Sequence, residues 1–205
     1  MEADVKGPTK SYRQEQADAT KLRIAIAAQS LFARDGYSTT SIEAIAREAG
    51  VATRTVYAAF GAKREMLNLI CERWLERADA LGLARRILAD TDPLQRIRGA
   101  AKWITVLYST DFDVVRILDA ASDEDSETQA LLRSKLRGRN RMMNQLIASV
   151  EDRLRVPLPD AQAIFRAFGA TGVYGELVVE VGWPPERFEN WLADTLIAQL
   201  IAPTD

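Results

Sequence analysis

The sequence has 205 residues, of which 47% are hydrophobic and 27% charged, and this balance is ordinary for a globular protein of one or two domains. It contains no histidine, which excludes Ser-His-Asp and Cys-His catalytic groups and every metal site with a histidine ligand. Cys71 is the only cysteine, so it can form no disulfide within the chain. We therefore expect no catalytic residues, no metal and no cofactor.

The beginning of the chain is polar and has no apolar segment typical of a signal peptide. No apolar run approaches the ~20 residues of a membrane-spanning helix, and we expect a soluble, cytoplasmic protein. The charge is uneven, because residues 1–64 hold 10 Lys and Arg against 7 Asp and Glu, whereas residues 65–205 hold 17 against 22. A basic N-terminal part indicates a polyanionic partner for that part only.

Apolar residues spaced by three and four positions predict helices along almost the whole chain. The first helix runs from about Thr20 to Asp35 and ends at Gly36. Thr40 is expected to be the N-cap of the second helix, with Glu43 completing a capping box. Further helices are predicted at about residues 52–60, 63–79, 93–110, 111–119, 127–156, 160–182 and 185–202. The predicted fold is all-α, with about nine or ten helices.

Residues 40–60 have the form of a helix-turn-helix. Two short helices are joined by a tight turn at Gly50, and apolar side chains lie where two crossing helices would touch. Thr53, Arg54 and Thr55 place polar and basic side chains at the start of the second helix. In a major groove this turn would face base edges, and Arg54 is the side chain there that can bind guanine bidentately.

The segment RIAIAAQSLFARDGYSTTSIEAIAREAGVATRTVYAAFGAKREML closely resembles the N-terminal DNA-binding domain of the TetR (tetracycline-repressor) family. The matching residues are Ile24, Ala28, Leu31, Phe32, Gly36, Tyr37, Thr40, Ile45, Ala46, Ala49, Gly50, Val51, Thr55, Val56, Tyr57, Phe60, Lys63 and Leu67. The resemblance implies a homodimer that binds a palindromic operator in double-stranded DNA, usually as a repressor. It also implies that a small molecule bound in the C-terminal domain releases the DNA.

The resemblance further implies which residues contact DNA. By position these are Thr40, Ser41, Thr53, Arg54, Thr55, Tyr57 and Lys63. Ala52 replaces the serine that usually caps the recognition helix, and Thr53 is expected to cap instead, which would turn it away from the bases. Two alternatives stay open on the residues alone: Tyr57 could be a core aromatic, and Lys63 could be a solvated lysine at a helix start.

The predicted organisation is a flexible arm at residues 1–19, the helix-turn-helix domain at 20–66, and a helical ligand-binding and dimerisation domain at 67–205. The last two helices are too apolar for packing on one side only, which favours a dimer interface over an ordinary core. The residues predicted at that interface are Phe168, Gly172, Gly175, Val179, Phe188, Trp191, Leu192 and Leu196.

An effector site is predicted among the central helices of the C-terminal domain. Its candidate residues are Trp103, Leu107, Tyr108, Phe112, Met142 and Met143, although aromatic residues and methionines at helical spacing also suit a core. The basic run between Arg133 and Arg141 could bind an acidic ligand, but a solvated helix face is the preferred interpretation.

The function predicted from all of this is a ligand-responsive DNA-binding regulator, most simply a repressor, with no enzymatic activity and no membrane partner. The alternative is an all-α small-molecule-binding protein or enzyme that does not bind DNA. The residues favour the first, because Arg54, Thr55, Tyr57 and Lys63 are all present in the helix-turn-helix.

Overall fold

The computed structural model describes residues 12–121 and 125–202, and these residues form helices joined by short loops. The chain divides into two compact units, Met1–Ile70 and Cys71–Asp205. The sequence placed this boundary between residues 66 and 67, four residues earlier. The all-α fold is confirmed, with eleven α-helices in the described part of the chain against the nine or ten predicted.

The first unit contains α1 (Tyr12–Asp35), α2 (Ile42–Glu48), α3 (Thr53–Phe60) and the start of α4 (Lys63–Arg77). Helices α1, α2 and α3 pack against one another, because each presents an apolar face. The buried side chains at their centre are Ile24, Ala28, Leu31, Phe32, Ile45, Val56 and Phe60.

Helix α1 begins earlier than predicted. Residues 12–19, expected in a flexible arm, form its first two turns, whereas residues 1–11 of that arm lie outside the described part of the chain. Here the Gln14 amide donates to the Asp18 carboxylate one turn later, at 3.1 Å. These two turns are largely exposed and lack an apolar stripe. Apolar periodicity, which predicts helices, therefore gave no sign of helix at residues 12–19.

The second unit is built around α6 (Pro93–Thr110), which contacts four other helices. These are α5 (Ala80–Ala89), α7 (Phe112–Ala120), α8 (Ser126–Ala148) and α11 (Pro185–Leu200). The face of α6 that packs on them is apolar and almost fully buried, with Ile97, Ala100, Ala101, Ile104 and Leu107. The end of the chain is fixed beside a 3₁₀ turn at Glu151–Arg153, where the Ala202 amide donates to the Arg153 carbonyl at 3.1 Å.

The predicted helix at residues 160–182 is wrong as a single element. It is divided into α9 (Leu158–Phe168), α10 (Thr171–Tyr174) and a π-helical turn at Gly175–Glu180. Ala170 is extended, with φ −67° and ψ 148°, and the buried Gly169 carbonyl accepts a hydrogen bond from the Tyr108 hydroxyl at 2.8 Å. The break lies in a glycine-rich segment, where helix propensity is low. The hydrogen bond from Tyr108, in the helix at Pro93–Thr110, therefore stabilises the break between α9 and α10.

Helix α8 also ends earlier than predicted. It stops at Ala148, eight residues before the predicted end at residue 156, and the 3₁₀ turn follows. Val150, two residues after the end of α8, has φ −124°, which is not helical, and its side chain is fully buried. Burial of this side chain therefore coincides with the end of the helix.

Candidate nucleic-acid interface and internal cavity

A tight glycine turn joins α2 to α3. Gly50 has φ +63°, the left-handed region in which glycine carries no Cβ penalty. Its amide donates to the Arg47 carbonyl at 3.2 Å, and the Val51 amide donates to the Ala46 carbonyl at 2.9 Å. This pair of bonds is a Schellman motif, which satisfies the last carbonyls of α2. The predicted helix-turn-helix is thus present, with α3 as its second helix.

Helix α2 is capped by Ser41 and not by Thr40, which corrects the predicted cap. The Ser41 hydroxyl accepts from the Ala44 amide at 3.1 Å, whereas the Thr40 hydroxyl is buried and donates to the Gly36 carbonyl at 2.7 Å. The helix starts one residue later than expected, which places Glu43 at the second helical position, too early for a capping box. Ser41 is exposed at this helix start and Thr40 is not.

Helix α3 opens with an exposed polar turn. Its N-cap is Ala52, which offers no side-chain acceptor, and Thr53 is the first helical residue, so the expectation that Thr53 caps the helix is wrong. The Thr53 and Thr55 side chains are half-buried, Arg54 is exposed, and Tyr57 is 52% exposed. Tyr57 is therefore not a core aromatic. A helix start whose amides lack a side-chain cap suits a phosphate, which accepts hydrogen bonds from such amides.

Lys63 holds the loop between α1 and α2. Its ammonium donates to the carbonyls of Tyr37 (2.6 Å), Thr40 (3.1 Å) and Ser38 (3.4 Å), and it lies 4.3 Å from the centre of the Tyr37 ring. A cation at a helix N-terminus is unfavourable, and these carbonyls and the ring compensate for that cost. The sequence missed this role, because the partners lie more than twenty residues away.

The second unit contains a cavity of about 970 Å³. Residues from α4, α5, α6, α7, α8 and α10 line it. Two tryptophans form fixed parts of the wall, because the Trp74 indole donates to the Leu107 carbonyl at 2.8 Å and the Trp103 indole to the Ala80 carbonyl at 2.9 Å. The volume lies within the range of small-molecule sites, roughly 300–1,000 Å³.

Two of the six predicted effector residues, Trp103 and Met142, line this cavity. The other four do not, which corrects the prediction. Leu107, Tyr108 and Met143 are buried in the core, and Phe112 packs edge-on against Tyr108 with ring centres 6.1 Å apart. The sequence missed Trp74, Leu75, Leu118 and Leu132, because an apolar stripe does not distinguish a cavity wall from a packed core.

The basic run on α8 contributes charge to the cavity. Its lining includes Arg133, Lys135, Arg139 and Arg141, whereas Arg137 lies outside it. The preferred solvated-face interpretation fits Arg133, Arg137 and Arg141, which are exposed. Arg139 is different, because it is half-buried and its Nη1 donates to the Tyr108 hydroxyl at 3.1 Å.

Three of the residues predicted at a dimer interface belong to the core of one chain. Phe188, Leu192 and Leu196 are fully buried where α11 packs on α6, so their prediction as interface residues is wrong. Gly175 faces the Phe112 ring, which lies 3.4 Å from where a Cβ would be. The predicted residues that keep exposed surface are Phe168, Gly172, Val179 and Trp191.

Two of these residues, Phe168 and Trp191, belong to an aromatic cluster. The Trp191 ring is 6.2 Å from both Phe168 and Trp183, and the Arg187 guanidinium lies 4.1 Å over the Trp183 ring. Val181, nearby in sequence, is 57% exposed. This patch is apolar surface that a second protein surface could cover.

Comparison with known proteins identifies the first unit. Residues 24–70 match the family model described as "Bacterial regulatory proteins, tetR family". The first unit of this chain therefore has the DNA-binding domain of the TetR family. A search of curated proteins found no significant match. The TetR-family model ends at the boundary between the two units, so it covers the helix-turn-helix unit alone.

Solved structures share the fold over most of the chain. NalD of Pseudomonas aeruginosa, the secondary repressor of the MexAB-OprM multidrug efflux pump, is 21% identical with a TM-score of 0.73, over 93% of this chain and 100% of NalD. FadR of Bacillus subtilis, solved with stearoyl-CoA, is 16% identical with a TM-score of 0.71, over 86% and 97%. SmeT in complex with triclosan is 20% identical with a TM-score of 0.70, over 90% and 92%.

Two further searches concern other kinds of site. No helix within residues 12–121 or 125–202 is both long and apolar enough to cross a membrane. Within the same ranges, no three Asp, Glu or Cys side chains come close enough together to hold a metal ion.

Proposed function

We propose that this chain is a TetR-family repressor that binds a palindromic operator as a homodimer and leaves it when a small molecule enters the cavity. The observation that carries the proposal is the presence in one chain of an exposed, uncapped α3 start and a cavity of about 970 Å³ in the other unit. Such a regulator acts on duplex DNA, and its proposed location is therefore the cytoplasm.

Base recognition is assigned to the first turn of α3. Arg54 is exposed and can donate two hydrogen bonds to O6 and N7 of guanine, a contact of about 1–3 kcal/mol in discrimination. Thr53 and Thr55 flank it at the same helix start. Ser41 and Tyr57 are exposed and offer hydroxyls for phosphates, which position the protein without reading sequence.

Dimerisation is assigned to the exposed Val179 and Val181 and to the half-buried Phe168 and Trp191, which keep accessible apolar surface. A two-fold axis through this surface would pair it with itself, the usual arrangement of a homodimer. The proposed operator has two half-sites in successive major grooves, about 34–36 Å apart, one for each copy of α3. The palindromic operator follows from that symmetry.

Effector control is assigned to the cavity through α4. This helix is continuous from Lys63, which holds the loop before Ser41, to the cavity-lining Trp74. A ligand that contacts Trp74 would act through α4 on the loop that Lys63 holds. FadR with stearoyl-CoA and SmeT with triclosan support a small-molecule effector, because they have the same fold. By linkage, DNA weakens effector binding by the same factor.

Selection of bound duplexes from a random DNA library tests this function. The proposal expects an enriched palindrome, and Arg54→Ala should weaken binding to it far more than to random duplex. Arg85→Ala, an exposed arginine of the other unit, is the matched control and should bind as the wild type does. No enrichment by the wild type would favour a small-molecule-binding protein without DNA-binding activity.

A further inference from the structure

The Arg139 guanidinium in the cavity wall is hydrogen-bonded to neutral groups and forms no ion pair with a carboxylate of residues 12–121 or 125–202. Its Nη1 and Nη2 donate to the Tyr108 hydroxyl (3.1 Å) and to Asn140 Oδ1 (3.5 Å), both neutral groups. Its Nε is buried and has no hydrogen-bond partner in the described part of the chain. Burying a cation in this way is costly unless an anion joins it.

Tyr108 orients this cation and cannot neutralise it. The Tyr108 hydroxyl donates to the Gly169 carbonyl at 2.8 Å and accepts from Arg139, so both of its roles are fixed by the fold. Burial raises the pKa of Tyr108 to about 12, against an opposing influence of the Arg139 charge. The phenol therefore stays neutral at physiological pH and supplies no negative charge to the guanidinium.

The other charges of the cavity wall are already paired or solvated. Lys135 pairs with Glu72 at 3.7 Å, and Asp79 pairs with Arg86 at 2.9 Å. The remaining charged lining residues are exposed: Glu76, Asp119, Arg133 and Arg141. Exposed charges are screened by water and salt, whereas a partly buried one acts at a lower dielectric constant. Arg139 therefore dominates the choice of ligand charge.

The rest of the wall suits an apolar body. The Trp74 and Trp103 indoles are immobilised by hydrogen bonds to backbone carbonyls and present their rings as fixed apolar surface. Leu81 and Leu136 also line the cavity while being 64% and 47% exposed, so they mark its opening to solvent. An apolar chain lying in this opening would cover both side chains.

We propose that the effector is an amphipathic organic acid, whose carboxylate binds the Arg139 guanidinium and whose apolar body lies against Trp74 and Trp103. This inference rests on the proposed function, in which the cavity is the effector site. The guanidinium supplies the charge-assisted hydrogen bonds that a carboxylate accepts, and Tyr108 positions it.

The test is isothermal titration calorimetry of the full chain with decanoate, decanol and decyltrimethylammonium, which share an apolar chain and differ in charge. We expect decanoate to bind most tightly. Arg139→Gln should weaken decanoate binding by about 10- to 100-fold and leave decanol binding unchanged. Arg137→Gln is the matched control on the same helix, because Arg137 is exposed and lies outside the cavity.

Decanol binding by Arg139→Gln shows that the variant keeps its cavity. Any of four results would overturn the inference. The wild type could bind the three amphiphiles equally, prefer the ammonium compound, or fail to bind decanoate. The two arginine variants could also lose the same amount of decanoate affinity. Selection of DNA by the same protein without amphiphile separates the two proposals. Enriched duplex with no decanoate binding overturns only the acid effector, whereas Arg139-dependent decanoate binding without enriched duplex overturns the DNA-binding function.

Discussion

Replacing Lys63 by Met tests whether this lysine holds the α1–α2 loop or reaches DNA. The substitution keeps a straight apolar stem and removes the ammonium that donates to the Tyr37 and Thr40 carbonyls at 2.6 and 3.1 Å. Each bond contributes about 1 kcal/mol net, and the cation over the Tyr37 ring contributes about 0.5–1 kcal/mol. Removing a cation from a helix N-terminus stabilises the helix by about 0.5 kcal/mol, which offsets part of this loss. We expect the loop and α2 to lose about 2 kcal/mol of local stability.

Amide hydrogen exchange, followed by mass spectrometry of peptides from α2, measures this loss. A decrease of about 2 kcal/mol in opening free energy corresponds to exchange roughly 30-fold faster. Lys102→Met, which removes an exposed lysine of the other unit, is the control and should exchange as the wild type does. Two results together would refute the loop role: amide exchange unchanged in Lys63→Met, and a salt dependence of DNA binding that falls by about one neutralised phosphate. Lys63 would then be a phosphate contact.

Three further substitutions test other parts of the structure. Gly99→Ala places a methyl 2.7 Å from Ile87, so denaturant unfolding should show a loss of about 1 kcal/mol that Ile87→Ala partly relieves; additive losses would contradict this contact. Ser41→Ala removes the bond to the Ala44 amide and should cost about 1 kcal/mol in α2 by hydrogen exchange; wild-type protection would argue against the cap. Because folding raises the pKa of Tyr108 from 10.0 to about 12, its neutral phenol stabilises the folded state below pH 10.0. This stability should be lost as the pH rises towards about 12. Tyr108→Phe should lack that decline, and identical pH profiles of the unfolding free energy would contradict it.

Local signals allowed the helix-turn-helix to be predicted with accurate boundaries. Gly36, Gly50 and Gly61 all have positive φ, and each ends a helix where the sequence placed an end. Such a stop depends on a single residue, so it can be recognised without knowledge of the tertiary contacts. The cap of α2 was displaced by one residue because Thr40 and Ser41 both suit the position, and only packing shows that Thr40 is buried.

Features that depend on distant contacts could not be predicted. The Lys63 bonds to the α1–α2 loop join residues more than twenty positions apart. Phe188, Leu192 and Leu196 have the spacing of an interface helix, and only the packing of α11 on α6 shows that they are core. The cavity depends on several helices at once, so its wall and the buried Arg139 Nε without a hydrogen-bond partner among the described residues become visible only in three dimensions.

The central claim is that one chain reads DNA with α3 and responds to a ligand in its cavity. The most direct test is the affinity for the selected duplex, measured by fluorescence anisotropy at rising decanoate concentration in the wild type and in Arg139→Gln. We expect decanoate to weaken duplex binding by the wild type by about 5- to 150-fold, with a much smaller effect on the variant. Duplex affinity that stays constant while calorimetry shows decanoate bound would contradict the coupling.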